Sequence, residues 1–190
     1  MKSFSIKVVG AAAILALAGL AVMPASHAEA AKWAWSHPAI ANYGPVRSLP
    51  DAAVQPNKHH VYKAIFDVTS GFKDPAKPDA GLDHVARAVN VFASAGVPLK
   101  NLRFVAILHG PATTAVLSNA DYRAKYGVDN PNILLIDALN KAGVHVDVCG
   151  QALADMGIAH SKVYAGVHVT LSALSTVVIY GNEGYAYMKQ

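Results

Sequence analysis

The chain has a single cysteine, Cys149, and only two glutamates, Glu29 and Glu183, in 190 residues. One thiol excludes an internal disulfide framework and any C-x-x-C pair. The scarcity of glutamate argues against a hydrolase built on paired carboxylates. A Walker loop, a G-x-G-x-x-G turn and an H-E-x-x-H helix are all missing, so the usual phosphate, dinucleotide and zinc-protease signatures are absent. "SGFK" at 70–73 has Ser-x-x-Lys spacing, but it follows a strand-like run instead of opening a helix. Its partner motifs SDN and KTG are also missing, so it is no serine acyl-enzyme signature. No Lys/Arg cluster interleaved with aromatics occurs, and nucleic acid is therefore not an expected partner. Beyond the N-terminal segment, no uncharged stretch is long enough to span a bilayer.

What is present begins with "MKSFSIKVVGAAAILALAGLAVMPASHAEA". Lys2 and Lys7 precede an uncharged apolar stretch over residues 8–23, followed by a break at Pro24 and small residues at Ser26 and Ala28. That is the layout of a secretory signal peptide, assigned to residues 1–28. Cleavage is expected after Ala28, with Ala30 at the end of "AEA" as the second choice. The apolar stretch falls short of the roughly 20 residues a membrane helix needs. A soluble exported, periplasmic protein without stable membrane insertion is the expectation. Removing Lys2 and Lys7 leaves 14 Lys plus Arg against 12 Asp plus Glu, so the formal charge falls from +4 to +2. The roughly 160 residues that remain suit one domain with a sizeable core.

Residues 29–58 read as an extended arm, because 32–58 carry four prolines and no sustained period. Trp33, Trp35 and Tyr43 are expected to pin it, with a disordered linker as the alternative. The domain proper, 59–190, alternates strand and helix signals. "HVYKAIFDVT" (60–69) is β-branched and aromatic, whereas "GLDHVARAVNVFASAG" (81–96) places Leu82, Val85, Ala86 and Val89 on one helical stripe and stops at Gly96. "NLRFVAILHG" (101–110) is a near-continuous apolar strand, as expected when both faces are covered. A polar helical stretch follows over 113–126. Next comes a helix over 130–143, with Asn130 as N-cap, Pro131 at the first helical position and Gly143 at the stop. "VHVDVC" (144–149), "GVHVTLS" (166–172) and "YAYMK" (185–189) supply three more strands, separated by helices over 150–157 and 173–184. Strands alternating with helices predict a three-layer α/β/α sandwich with a mainly parallel five-stranded sheet. In such sheets chemistry collects beyond the carboxyl ends of the strands. The loops at 69–73, 109–113 and 149–152 therefore matter most.

Cys149 stands at such an end, with Gly150 allowing a tight turn and Gln151 beginning a helix. The free N–H groups of that helix would face the sulfur and favour its thiolate, the form that attacks sulfur. An unpaired cysteine in an oxidising compartment implies an intermolecular bond or a reactive thiol. The competing reading is a buried cysteine acting as a small apolar residue. His145, Asp147 and Cys149 alternate on one strand face, a row that could ligate a transition metal. Alternate side chains lie about 7 Å apart, however, and diverge. The preferred reading has no metal: His145 near the exposed strand start and Asp147 hydrogen-bonded beside the site. His109, in "LHG", ends the neighbouring strand and could exchange a proton with the Cys149 sulfur; capping a loop carbonyl is its alternative role. The paired His59 and His60 precede the first strand and read as surface residues.

With these pieces in order, the chain resembles the DsrE/DsrF-like sulfur-relay family, in an exported form. The resemblance rests on Trp35, Tyr43, Gly44 and Val46 in the arm, His109-Gly110, "NPN" at 130–132, "CGQ" at 149–151, Gly157, and "GYAY" at 184–187. It implies a flavodoxin-like five-stranded fold, assembly into homotrimers or homohexamers, and no cofactor. It also implies a cysteine, here Cys149, that accepts sulfur as a persulfide and hands it on, with His109 beside it and Gly110, Gly150, Gln151 and Asp147 in support. The partners implied are a small sulfur-containing donor or a partner thiol protein. One departure is Met156, where the cytoplasmic carriers commonly have arginine. The leader is another, because it would separate the protein from cytoplasmic relay partners. Two other classes stay open: a non-catalytic assembly module on the same fold, and a periplasmic metal or redox sensor using Cys149 with nearby histidines.

Overall fold

The computed structural model describes residues 33–190; the expected signal peptide at 1–28 and the first residues of the arm lie outside the described residues. Five strands are β1 (Tyr62–Val68), β2 (Leu102–Leu108), β3 (His145–Cys149), β4 (His168–Thr170) and β5 (Ala186–Lys189). They pair in the order β4-β3-β2-β1-β5, and every pairing is parallel. The helices are α1 (Ala80–Ser94), α2 (Asn119–Tyr126), α3 (Asn132–Lys141), α4 (Gly150–Asp155) and α5 (Ala173–Asn182). The expected α/β sandwich is therefore what forms.

Direction of travel across the sheet decides which face each helix covers. From β1 through β4 the chain steps to the next strand on the same side, and α1, α3 and α4 all contribute to the larger core cluster. From β4 the chain returns across the sheet to β5, and α5 packs into the other cluster. The strong right-handed preference of parallel crossovers explains this, because reversing the direction reverses the face.

Alternation along the strands then sorts the side chains. Phe66, Phe104, Leu108, Val146 and Val148 join the core beneath α1, α3 and α4. Their neighbours Ile65, Val105, Ile107 and Cys149 face α5 with Ala173. Among the described residues no helix is long and apolar enough to cross a membrane.

Helix ends follow local chemistry. The Asp79 side chain accepts from Leu82 N–H to cap α1. At its far end Val97 N–H reaches Phe92 C=O at 3.1 Å, with Gly96 left-handed at φ 80°, a Schellman stop. The expected helical stretch over 113–126 divides into a 3-10 segment (Gly110–Val116) and α2, because Ser118 interrupts it and caps α2 by accepting from Asp121 N–H. Asn130 caps α3 as expected, its Oδ1 accepting from Asn132 N–H across Pro131, whose φ −72° and ψ −11° are already helical. It is also buried, its amide donating to the Ala115 and Leu117 carbonyls.

The arm is held against α1 by one fully buried side chain. Asn90 accepts from Ala39 and Ile40 N–H at 2.9 and 2.8 Å and donates to the carbonyls of Ile40, Tyr43 and Gly44. Gly44 has φ 54°, and a Cβ there would lie 2.1 Å from the Arg87 nitrogen, so only glycine fits. Trp33 and Trp35 are exposed, and the buried anchors are Ile40 and Val46. Of the three aromatics expected to pin the arm, Tyr43 packs against the core and the two tryptophans do not; the rest of the anchoring is main-chain hydrogen bonding and two aliphatic side chains.

Candidate functional site

The parallel register brings the carboxyl ends of β1, β2 and β3 together. Asp67 stands opposite Ile107, Ile107 opposite Asp147, and Leu108 opposite Val148. His109 and Cys149 are each the next residue after the last of these pairs, on strands about 4.8 Å apart. Since Phe66, Val68, Leu108 and Val148 point into the larger core, alternation turns Asp67, His109, Asp147 and Cys149 toward the α5 side.

Cys149 is the N-cap of α4, and its Sγ accepts from the Ala152 N–H at 3.4 Å. The residue is only 5% exposed and packs on Ile65, Val105, Ile107 and Ala173. It nevertheless lines a cavity of about 810 Å³, together with Asp67, His109, Ala152, Leu174 and Tyr187. The sulfur is thus walled on one side by hydrocarbon and faces an accessible space on the other.

His109 is held from behind. Its Nε2 lies 2.5 Å from Asp67 Oδ1, and the Tyr187 hydroxyl donates to the second Asp67 oxygen. A carboxylate can only accept, so the bonded Nε2 carries a proton and Nδ1 is the ring atom left to exchange one. The bond to Asp67 raises the Tyr187 phenol above its ordinary range, with burial and the Asp67 charge adding to the effect. The phenol therefore stays protonated and serves as a fixed donor.

Gly110, also in the cavity wall, has φ 54° and turns the chain away after His109. Gly150 is required for a reason the sequence did not disclose. A Cβ there would sit 2.6 Å from the Thr170 carbonyl oxygen, so β4 can approach only a glycine. Gln151 lies on the rim, with Nε2 donating to the Leu171 carbonyl at 3.5 Å. Asp147 is not part of the cavity wall. It is buried one alternation before Cys149, and its Oδ1 lies 3.5 Å from His168 Nδ1. Burial pushes its carboxyl up, while the charges of His168 and His145 and the His168 hydrogen bond pull the other way. His145 and His168 rings stand 6.2 Å apart, and among the described residues no group of three or more His, Cys, Asp or Glu is placed to hold a metal. His59 and His60 are exposed.

Two of the three expected strand-end loops, at His109 and at Cys149, line the cavity; residues 69–73 do not. Asp67 and Tyr187 were missed. Asp67 had a signal, a lone carboxylate inside the apolar run "AIFDV" just before the strand end. Tyr187 stood in the "GYAY" motif, but nothing local tied it to Asp67, which it reaches only through the pairing of β5 with β1.

No curated protein matches this chain. Among solved structures, a protein of unknown function, MTH1491 from Methanobacterium thermoautotrophicum, aligns at 17% identity and a TM-score of 0.46. That alignment covers 68% of this chain and 99% of that one. The model of the DsrE/DsrF-like family matches residues 63–189, which takes in the sheet from β1 to β5 and every helix. The chain belongs to the DsrE/DsrF-like family.

Proposed function

We propose that the protein is an exported sulfur carrier that accepts sulfane sulfur on Cys149 as a persulfide and passes it to a partner thiol. One observation carries the reading: the only thiol of the chain faces a cavity, under a backbone amide, beside a histidine fixed by Asp67 and Tyr187. The Cys149 thiolate attacks the sulfane sulfur, the old S–S bond breaks, and the electron pair leaves on the departing sulfur. His109, in the same cavity wall, is the group proposed to protonate that sulfur or take the proton of the thiol. Membership in a family of sulfur-relay type supports the chemistry. The leader supports export, and processed protein from the periplasmic fraction should begin at Glu29 or Ala31.

Mass spectrometry of the reduced protein after incubation with sulfane-sulfur donors of both kinds, anionic polysulfide and a dispersion of neutral cyclooctasulfur, tests the carrier role. Added sulfur is expected on Cys149 and nowhere else, and Cys149→Ser should abolish it. A free, alkylatable Cys149 that stays unmodified under those conditions would overturn the reading.

A second reading, an assembly module, has its own observation. Leu174, Val178 and Ile179 leave the outer side of α5 apolar and exposed, next to β5, whose residues are all exposed at the sheet edge. An apolar patch of this kind marks an interaction surface. A homotrimer or homohexamer built on it is the proposed assembly, and both readings share it. The non-catalytic version requires that Cys149→Ser leave both oligomer and phenotype unchanged.

A further inference from the structure

We infer that the sulfur donor at this site is neutral and apolar, a ring or chain of sulfur atoms without ionic ends, and not an oxyanion such as thiosulfate. The inference rests on the carrier reading above and narrows it. The cavity of about 810 Å³ lies within the range that holds whole small molecules, so its shape must suit the body of the donor as well as the transferred atom. The wall opposite the strand ends is hydrocarbon: Ala152 and Met156 from the α4 segment, Ala173, Leu174, Val177 and Val178 from α5.

Charge points the same way. The acidic groups of the wall are Asp67 and Asp155, and no lysine or arginine lines it among the described residues. Lys189 pairs in register with Asp67 but stays outside the wall. Two of the donors nearest the strand ends are already engaged, the Ala152 N–H with Cys149 Sγ and the His109 Nε2–H with Asp67, and the other polar side chains of the wall, Ser172, Gln151 and Tyr187, are neutral. A dianion entering here would lose hydration and meet carboxylates with no lysine or arginine of the wall to pair with, and the one histidine there is already bound to Asp67, an arrangement that disfavours a ligand by charge. A neutral polysulfane gives up little hydration and gains apolar contact.

The transfer balances without an outside oxidant. Cys149 thiolate bonds to one sulfur of the neutral ring or chain, and the S–S bond on the far side of that sulfur breaks. The electron pair stays on the departing sulfur, which takes a proton from His109 or water. The Cys149 sulfur is oxidised as the departing sulfur is reduced. From a ring nothing is released, and the far sulfur stays tethered to Cys149 as the terminal S–H of a chain; from a linear chain the shortened fragment leaves as its thiol.

The test compares two donors on the reduced full chain under anaerobic conditions: thiosulfate in solution, and cyclooctasulfur as a dispersion. Cys149 loading is followed by intact mass and peptide mapping. Cyclooctasulfur is expected to load Cys149 at least about tenfold faster than thiosulfate, the scale of an unfavourable like-charge contact. Loading by thiosulfate at an equal or greater rate would overturn the donor assignment and leave the carrier reading intact. Loading by neither donor, with Cys149 still alkylatable, would overturn the carrier reading itself. Asp155→Lys replaces an exposed carboxylate of the wall with a cation, away from the apolar side of α5, and should raise the thiosulfate rate; no gain in a folded variant would overturn the charge argument.

Discussion

The two faces of the sheet use the same strands for opposite ends. Beneath α1, α3 and α4 the strand residues are Phe66, Val68, Phe104, Leu108, Val146 and Val148, an unbroken apolar layer. One residue away along each strand, the α5 face carries Asp67, His109, Asp147 and Cys149 at its carboxyl end, above a smaller cluster of Ile65, Val105 and Ile107. Among the described residues α5 is the main cover of that second face, and its outer side is itself exposed apolar surface. Stability and chemistry are thereby separated by the two-residue period of the strand, with the fully covered face supplying the first and the sparsely covered face leaving room for the second.

Substitutions on either face test this division. The largest effect expected is on the covered face: Phe104→Ala should cost about 3–5 kcal/mol of stability in urea unfolding, while the molecules that remain folded still load sulfur on Cys149. Loss of loading in folded Phe104→Ala would break the comparison.

On the sparse face the order reverses. His109→Ala should slow loading on the order of 10²-fold, the lower end for a positioned acid or base, with little change in the urea midpoint. Asp67→Asn should slow it by about tenfold through loss of a charge-assisted bond, without changing alkylation of Cys149 by a small neutral reagent. If alkylation slows equally, Asp67 is shaping the cavity and not holding His109.

The smallest effect sharpens the comparison at Asp147, a polar residue on the sparse face that does not line the cavity. Burial raises its carboxyl above the ordinary range, so the folded chain holds that proton more tightly than the unfolded one. Native stability therefore falls as pH rises from the unfolded value, about 3.9, through the raised native one. Asp147→Asn removes this fall, and the variant should gain on the wild type in urea midpoints as the pH rises above the unfolded value of about 3.9. A gap that stays constant over that range would show that the carboxylate is not perturbed.

Much of the architecture was legible because it depends on short-range periodicity. The apolar run ending at His109, the helical stripe ending at Gly96 and the alternation around Cys149 each predict an element from neighbours within a few positions. Cys149 and His109 were legible as strand-end residues for the same reason. The helix over 130–143 and its cap at Asn130 were legible locally, but not the second task of that side chain, whose amide also ties together Ala115 and Leu117, residues brought to it by folding. The anchor of the arm was missed likewise. Nothing local in "ARAVNVFA" says that Asn90 will serve five main-chain partners fifty positions earlier in the chain, on the order of a loop whose closure only tertiary packing fixes.

The sequence alone settled the alternation of strands and helices, the parallel sheet and the placing of the lone thiol at a strand end, because these follow from periods of two and 3.6 residues and from turn chemistry. Tertiary structure alone decided that β5 lands beside β1, and hence that Tyr187 and His109 share the carboxylate of Asp67. It also decided that the cavity wall holds acids and hydrocarbon but no lysine or arginine among the described residues. Strand order and the company a side chain keeps depend on contacts between residues far apart in the chain, and no local pattern encodes them.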